Sequence, residues 1–304
     1  MAGVVRADPA SRLAIGRRRW LLATTGLALT GCSLDPDVDH AGPDAPSAGA
    51  LGITARTAWV FSSGGPRGFT HVGVIKGLAQ LGLRPDLVVG ASAGALVGAL
   101  YAGGLSAADI ESLALDLNPM SLARMAPSAS ERFSGAALRE LVANALGGRT
   151  LQQLPLPMVC VAQRLRDAGV VAFNRGDAGL AVQASSAIEG QLTPVRIQGE
   201  RYVDADLRMP LPVRLTRALG AVRVLAVDAS AHEDRAPAGA ERWRESDRRK
   251  RALTRPDAEA ADVLLHPDFG YWVNLSREFR ERAIEAGYRA ALAAAPQLRS
   301  LHAA

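Results

Sequence analysis

From Thr57 onward the chain alternates short apolar runs with longer segments whose apolar residues recur every three or four positions. "TAWVF" (57–61) predicts a strand and "SSGGPRG" (62–68) a glycine turn. In "FTHVGVIKGLAQLG" (69–82) Val72, Ile75 and Ala79 share a helical face, and Gly82 ends the helix. "DLVVG" (86–90) reads as a second strand and "AGALVGALYAGG" (93–104) as a helix of small residues. Helices are expected over 106–117 and 134–146. "MVCVAQRL" and "VVAFNR" form a hairpin turning at Asp167-Ala168-Gly169. A further strand, "VRVLAVDAS" (222–230), leads to an arginine-rich segment, the short strand "ADVLLHP" (261–267) and a last helix near 275–294. Strands alternating with helices imply an α/β layered domain, set at 57–296, with 297–304 as a C-terminal tail.

The segment before Thr57 follows no such period. It opens with a basic region ending "GRRRW", continues with the twelve apolar residues "WLLATTGLALTG", and reaches "LTGC" at Leu29–Cys32. That is the pattern of a signal peptide over 1–31, and twelve residues are too few to span a bilayer, which takes about 20. Arg17-Arg18-Arg19-Trp20-Leu21 resembles a twin-arginine export signal, and "LTGC" resembles the bacterial lipobox, in which Cys32 becomes the lipidated N-terminus. Several acyl chains on one residue would anchor stably. Residues 33–54, rich in Pro, Asp, Ala and Gly, have the composition of a disordered tether, drawn over 32–56 with Cys32 and reaching roughly 60 Å at about 3 Å per residue. The expected location is the cell envelope, lipid-anchored and facing the periplasm. Ser33 after the cysteine favours the outer membrane, by resemblance to lipoprotein sorting.

Charge changes the picture little. Of the net +5, four come from the leader, where five arginines face only Asp8, so the remainder carries about +1 and has no nucleic-acid footprint. The run "RWRESDRRKR" (242–251) offers a cationic face to anionic lipid headgroups, but Glu245 and Asp247 interrupt it and favour a solvated, self-paired helix. With Cys32 lipidated, Cys160 has no cysteine to pair with in the mature chain.

The chemistry centres on "GASAG", where Gly90 and Gly94 bracket Ser92 between a strand and a helix. G-x-S-x-G in that setting lets a serine occupy a sharp, strained turn, because glycines remove the Cβ atoms that would clash. A serine needs a base to take its proton and preorganised donors for the oxyanion. The turn 62–68 presents the amides of Gly64, Gly65 and Arg67 beside a cationic side chain; Pro66 has no N–H. The same turn lacks both the lysine and the spacing of a phosphate-binding loop.

"SSGGPRGFTHVGVIKGL", "GASAG" with "LYAGG", and "ASSAIEGQLTPVRIQGERYVDADLRMPLPV", in that order, resemble the bacterial patatin-like phospholipase family, from about Ala58 to Ala291. The resemblance implies a three-layer α/β/α fold with a nucleophile elbow. It also implies a Ser–Asp dyad and lipid acyl hydrolysis through an acyl-enzyme, with no metal or cofactor and with membrane lipid or another acyl ester as substrate. By position it makes Ser92 the nucleophile, Asp204 the dyad aspartate, and Gly64, Gly65, Arg67 and Ala93 the oxyanion donors. Three departures stand out: Ser63 where the turn has a glycine, Asp206 where glycine or alanine follows the dyad loop, and Glu189 where proline is usual. If residues 202–206 continue the strand implied by "VRIQGERYV", Asp204 and Asp206 share a face, so alternation alone cannot choose between them. Two other readings remain open. One is a non-catalytic envelope lipoprotein that keeps the fold to bind lipid or a partner. The other is a Ser-His-Asp hydrolase with His232 or His266 as base, although His232 lies in a polar loop and His266 caps a strand. His71 reads as a hydrogen-bonded packing residue.

Overall fold

The computed structural model describes residues 38–122, 124–126, 131 and 133–303. The predicted signal peptide and Cys32 lie outside them. Among the described residues no helix is long and apolar enough to cross a membrane.

The strands are β1 (Asp39–His40), β2 (Thr57–Phe61), β3 (Leu87–Ala91), β4 (Arg124–Met125), β5 (Phe133–Ser134), β6 (Met158–Arg164), β7 (Val170–Phe173), β8 (Val195–Ile197), β9 (Glu200–Asp204), β10 (Arg223–Val227) and β11 (Val263–Leu265). The helices are α1 (Phe69–Gln80), α2 (Ala93–Ala102), α3 (Ala107–Asp116), α4 (Ala136–Leu146), α5 (Ala178–Ser185), α6 (Val213–Ala218), α7 (Glu241–Glu259), α8 (Arg277–Ala293) and α9 (Ala295–Ala303). The main sheet runs β1-β8-β9-β6-β3-β2-β10-β11, with β7 also on β6. β6, β3, β2, β10 and β11 are parallel neighbours.

Alternate residues of the central strands feed two separate cores. Trp59, Phe61, Val88 and Met158 enter a large cluster with α1, α2 and α8, while Ala58, Val60, Val89 and Val159 enter a smaller one with Leu211 and Val213 at the start of α6. The sheet is therefore covered on both faces, which is why its strands read as continuous apolar runs. This is the three-layer α/β/α arrangement the sequence predicts. α1 is buried over more than the one face expected: Val74 and Leu78 join Val72 and Ile75, while Ala79 is exposed. Helices α2 and α8 both pack on it, so a single apolar stripe underestimates its burial.

Pairing on β6 sets up the site. β7 occupies one edge of β6 over Cys160–Gln163, leaving the other edge to β3 over Met158–Val161 and to β9 over Ala162–Arg164. β9 is antiparallel, so it runs toward β3 and the two strands meet end to end. Val161 pairs with Ala91 and the next residue, Ala162, with Asp204.

Two terminal expectations need correction. Residues 38–50 are not a disordered tether: β1 adds to β8 in parallel, Ser47 bridges Arg175, and the Gly49 amide and carbonyl both bond the Asn174 side chain at 2.9 and 2.6 Å. The segment is held by its backbone against a strand more than 150 residues away in sequence, and backbone pairing leaves no trace in composition. Nor are the described residues 297–303 a loose tail; α9 buries Leu298 and Leu301, and its Pro296 sits in the first turn, where no intrahelical N–H is missed.

Candidate active site

Ser92 takes φ 53° and ψ −120°, a conformation that L-residues avoid, between the end of β3 and the first turn of α2. The two flanking glycines are required by close approach. A Cβ on Gly90 would lie 2.3 Å from the Gly94 carbonyl oxygen, and one on Gly94 would lie 2.2 Å from the Phe61 carbonyl oxygen. The elbow thus presses directly on the end of β2, where the glycine turn begins. The Ser92 amide donates to Ser185 Oγ at 2.9 Å, and that hydroxyl donates to the Val161 carbonyl at 2.6 Å. Ser185, at the end of α5, pins the elbow to β6, and no local sequence signal marks it for this task.

The Ser92 hydroxyl acts on the Asp204 carboxyl, pulling its proton affinity down. Asp204, 5% exposed at the end of β9, has its amide on the Ala187 carbonyl at 2.9 Å and accepts the Asp206 amide at 2.8 Å. Burial pushes its carboxyl up to about 7, against the downward pull of the Ser92 hydrogen bond and with an upward push from the charge of Asp206. An aspartate held there can accept a serine proton near neutral pH.

Asp206 is engaged away from Ser92. Its carboxylate accepts the Ser63 hydroxyl and pairs with Lys250 Nζ at 2.5 Å. Two of the three departures from the family pattern therefore touch each other, and the cation that completes them comes from α7. The third, Glu189, is exposed in the turn after α5.

The glycine turn divides the expected donors. Gly65 has φ 52°, and Gly64 and Gly65 stand at the head of a 3₁₀ turn (Gly65–Gly68), whose leading amides have no acceptor within the turn. Ala93 is the first residue of α2, in the same position. The remaining candidates are otherwise engaged. The Ser63 amide donates to Pro210 O at 2.8 Å. The Arg67 amide closes onto Gly64 O at 3.1 Å, because the chain tightens into a 3₁₀ turn, so Arg67 is not an oxyanion donor as expected from the sequence. Its guanidinium, with its pKa lowered by burial, is a brace: Nε donates to Ala229 O at 2.8 Å, Nη1 to Gly270 O at 2.8 Å and Tyr271 O at 3.3 Å, and the Phe269 ring lies 4.4 Å below. His71 is fully buried, donates from Nε2 to Ser62 O at 2.9 Å and is driven down to about 4 by burial, as a packing residue would be. Cys160 is buried in β6, with its thiol pushed up to about 12 by burial.

His232 and His266 gather elsewhere, after β10 and β11, around Asp228. The Asp228 carboxylate accepts the Ser230 amide at 2.9 Å and lies 3.6 Å from His232 Nε2, while His266 Nε2 donates to Ser230 O at 2.9 Å. The carboxyl that feels the Ser92 hydroxyl is Asp204, and both histidines are instead gathered on Asp228 and Ser230. One donor atom from each of Asp228, His232 and His266 lies within 4.8 Å of the others, a spacing a metal could bridge. The imidazoles, however, are stacked with centroids 3.9 Å apart and planes 14° from parallel. Each nitrogen lone pair lies in its own ring plane, so the two cannot converge on one ion without a ring turning.

On the arginine-rich helix, Glu245 pairs with Arg248 and Arg249, and Arg251 with Glu233 and Asp234. The self-paired reading of this run describes these residues, while Lys250 alone turns to the site.

Comparison with known proteins places this geometry. Residues 59–217 match the family described as patatin-like phospholipase. An uncharacterized NTE family protein of Mycobacterium bovis is 30% identical over 181 residues, 59% of this chain and 50% of that protein. Human patatin-like phospholipase domain-containing protein 6 is 28% identical over 191 residues, 60% of this chain and 14% of that one. The crystal structure of VipD from Legionella pneumophila aligns with a TM-score of 0.54 at 15% identity, over 82% of this chain and 67% of that chain. The chain spans half the length of the Mycobacterium relative and a smaller share of the human one.

Proposed function

The chain belongs to the patatin-like phospholipase family, and from that premise we propose that it is a serine lipid acyl hydrolase of phospholipase A or esterase type, working through a Ser92–Asp204 dyad. The observation that carries this reading is a strained serine set beside a buried aspartate, Asp204, whose carboxyl burial pushes up to about 7.

In the first step Ser92 Oγ attacks the ester carbonyl carbon while Asp204 takes the hydroxyl proton. The new oxyanion is met by the amides of Gly64, Gly65 and Ala93, fixed in place before the reaction by the turn and by α2. The tetrahedral intermediate collapses, Asp204 returns the proton to the departing alkoxide, and the acyl group stays on Ser92. Water then attacks that ester with Asp204 again as base, releasing a fatty acid and restoring the serine. A dyad dispenses with histidine because Asp204 already has the proton affinity that an imidazole supplies elsewhere. The substrate is a membrane lipid or another acyl ester, and the enzyme is held in the cell envelope, facing the periplasm, by lipid on Cys32.

Two measurements test this. The purified chain should cleave p-nitrophenyl acyl esters and Ser92→Ala should not; turnover unchanged in that variant, or absent in the parent across chain lengths, points instead to a non-catalytic lipid- or partner-binding lipoprotein. For the anchor, Cys32→Ser should move the protein from the membrane fraction to the soluble one, and a wild-type protein found soluble and starting at Met1 would overturn it.

A further inference from the structure

Among the described residues, six large apolar side chains left in solvent sit on segments at the end of the domain that holds Ser92, and three of them adjoin residues bonded into the site. Ile188 follows Ala187, whose carbonyl holds the Asp204 amide. Leu207, 62% exposed, follows Asp206, which binds Ser63 in the glycine turn. Trp272, 51% exposed, follows Tyr271, whose carbonyl accepts from Arg67. Val273 and Leu275 continue the same exposed loop, and Trp243, at the start of α7, meets Trp272 edge-on with ring centroids 5.3 Å apart.

These segments share one end of the domain because of the topology. β2, β3, β10 and β11 are parallel, so the turn 62–68, the elbow, the loop into α7 and the loop 266–276 all leave the sheet at its carboxyl edge. α5 ends there too, with Ser185 on Val161 O. α7 then runs along the rim from Trp243 to Lys250, which reaches Asp206.

We propose that this rim, Trp243, Trp272, Val273 and Leu275 with Ile188 and Leu207, docks the domain onto an anionic phospholipid surface, setting the mouth of the Ser92 site against the bilayer. The proposal rests on reading that site as a lipid acyl hydrolase, and it names the physical form of the substrate: lipid in a packed surface rather than single molecules in water. Composition selects the occupant. Tryptophan has an apolar body with one polar N–H, which suits the headgroup boundary better than a protein core. Cations stand at the same level: the Arg242 guanidinium lies 3.7 Å over the Trp243 ring, and Arg208 is exposed beside Leu207. Basic residues beside inserted aromatic rings complement anionic headgroups, and that attraction weakens with salt.

The test uses the full chain carrying Trp20→Phe and Cys32→Ser, so that neither the leader nor a lipid anchor reports. Vesicles of phosphatidylglycerol and phosphatidylcholine with brominated acyl chains should quench tryptophan emission. Buried Trp59 serves as the internal reference. Trp243→Ala/Trp272→Ala should lose most of that quenching, bind vesicles on the order of a hundredfold more weakly, and keep turnover of soluble p-nitrophenyl butyrate within about twofold. Val273→Glu, in an exposed loop, should weaken vesicle binding without touching either ring. Wild-type binding should fall at least about tenfold on phosphatidylcholine alone and decline with added salt. Ser92→Ala should be quenched like its parent, so failure of the catalytic reading leaves docking measurable. Quenching retained in both rim variants, equal binding to neutral vesicles, or equal loss of soluble and vesicle turnover would overturn the proposal.

Discussion

Asp204 and Asp228 are buried to nearly the same degree, 5% and 2% exposed, one the last residue of β9 and the other just past β10, and their carboxyls are driven in opposite directions, to about 7 and about 2. Burial raises both. At Asp204 a serine hydroxyl, one amide and the charge of Lys250 oppose it only weakly, and the Asp206 charge reinforces it. At Asp228 the His232 ring and the Ser230 amide outweigh it, and His266 adds to them. The lesson is that burial alone does not make a base. A carboxylate supplied with cationic or N–H partners is stabilised as an anion and becomes a structural joint; one left with a hydroxyl keeps its appetite for a proton.

If that contrast is right, variants at the two places should differ sharply. Ser92→Ala should cost the most, roughly a thousandfold or more in ester kcat, since Ser92 is the hydroxyl that acts on the Asp204 carboxyl. Asp204→Asn should follow with at least about a hundredfold loss, the usual contribution of a positioned general base. The two substitutions should not multiply, because each disables the same proton transfer; a double variant slower than either single one by their product would break the dyad assignment.

Asp204 also predicts opposite pH effects on activity and stability. Only its ionised form accepts the serine proton, so kcat/KM should rise through pH about 7. Its folded pKa lies above the unfolded value near 3.9, so its contribution to stability is complete at acid pH and is lost as pH rises through about 7. Asp204→Asn, which stays neutral, should therefore melt above the wild type at pH 8, by on the order of 3 kcal/mol, with the gap closing toward pH 4. Asp228 has the reverse sign. Its folded pKa is depressed, so its contribution is present above pH 4 and lost toward about 2. Asp228→Asn should lower stability at pH 7 by roughly 2 kcal/mol while leaving ester turnover within about tenfold. Thermal melts across pH 3–8 on both variants check the pair; a large catalytic loss at Asp228 with little change in stability would revive a histidine-based mechanism.

How much of this was legible in the sequence depends on how far each signal travels along the chain. The elbow is local: Gly90, Ser92 and Gly94 announce it because backbone meets backbone within a few residues. Asp204 could be placed only by resemblance, since what brings it to the end of β3 is its pairing with Ala162, next to Val161 and Ala91. The brace role of Arg67 was hidden for the same reason; its partners lie at Ala229, Gly270 and Tyr271, on loops whose approach no periodicity encodes. β1 and α9 escaped because one is secured by backbone pairing and the other by two leucines beyond a proline.

The smallest expected effect is also the sharpest probe of what tunes the dyad. Asp206, which alternation alone cannot tell from Asp204, is bound to Ser63 and Lys250 while its amide feeds Asp204. Its negative charge pushes the Asp204 carboxyl up and the Lys250 charge pulls it down. Lys250→Met should therefore move the acid limb of kcat/KM to higher pH, and Asp206→Asn should move it to lower pH, each by less than about one unit with a loss of only a few fold at the plateau. The double variant should return close to the wild-type limb, because an opposed pair of charges has been removed together. Lys250→Arg keeps the charge and should keep the limb. A role confined to docking α7 would lower the melting temperature in Lys250→Met without moving the limb, and a larger rate loss in Asp206→Asn than in Asp204→Asn would transfer the role of base to Asp206.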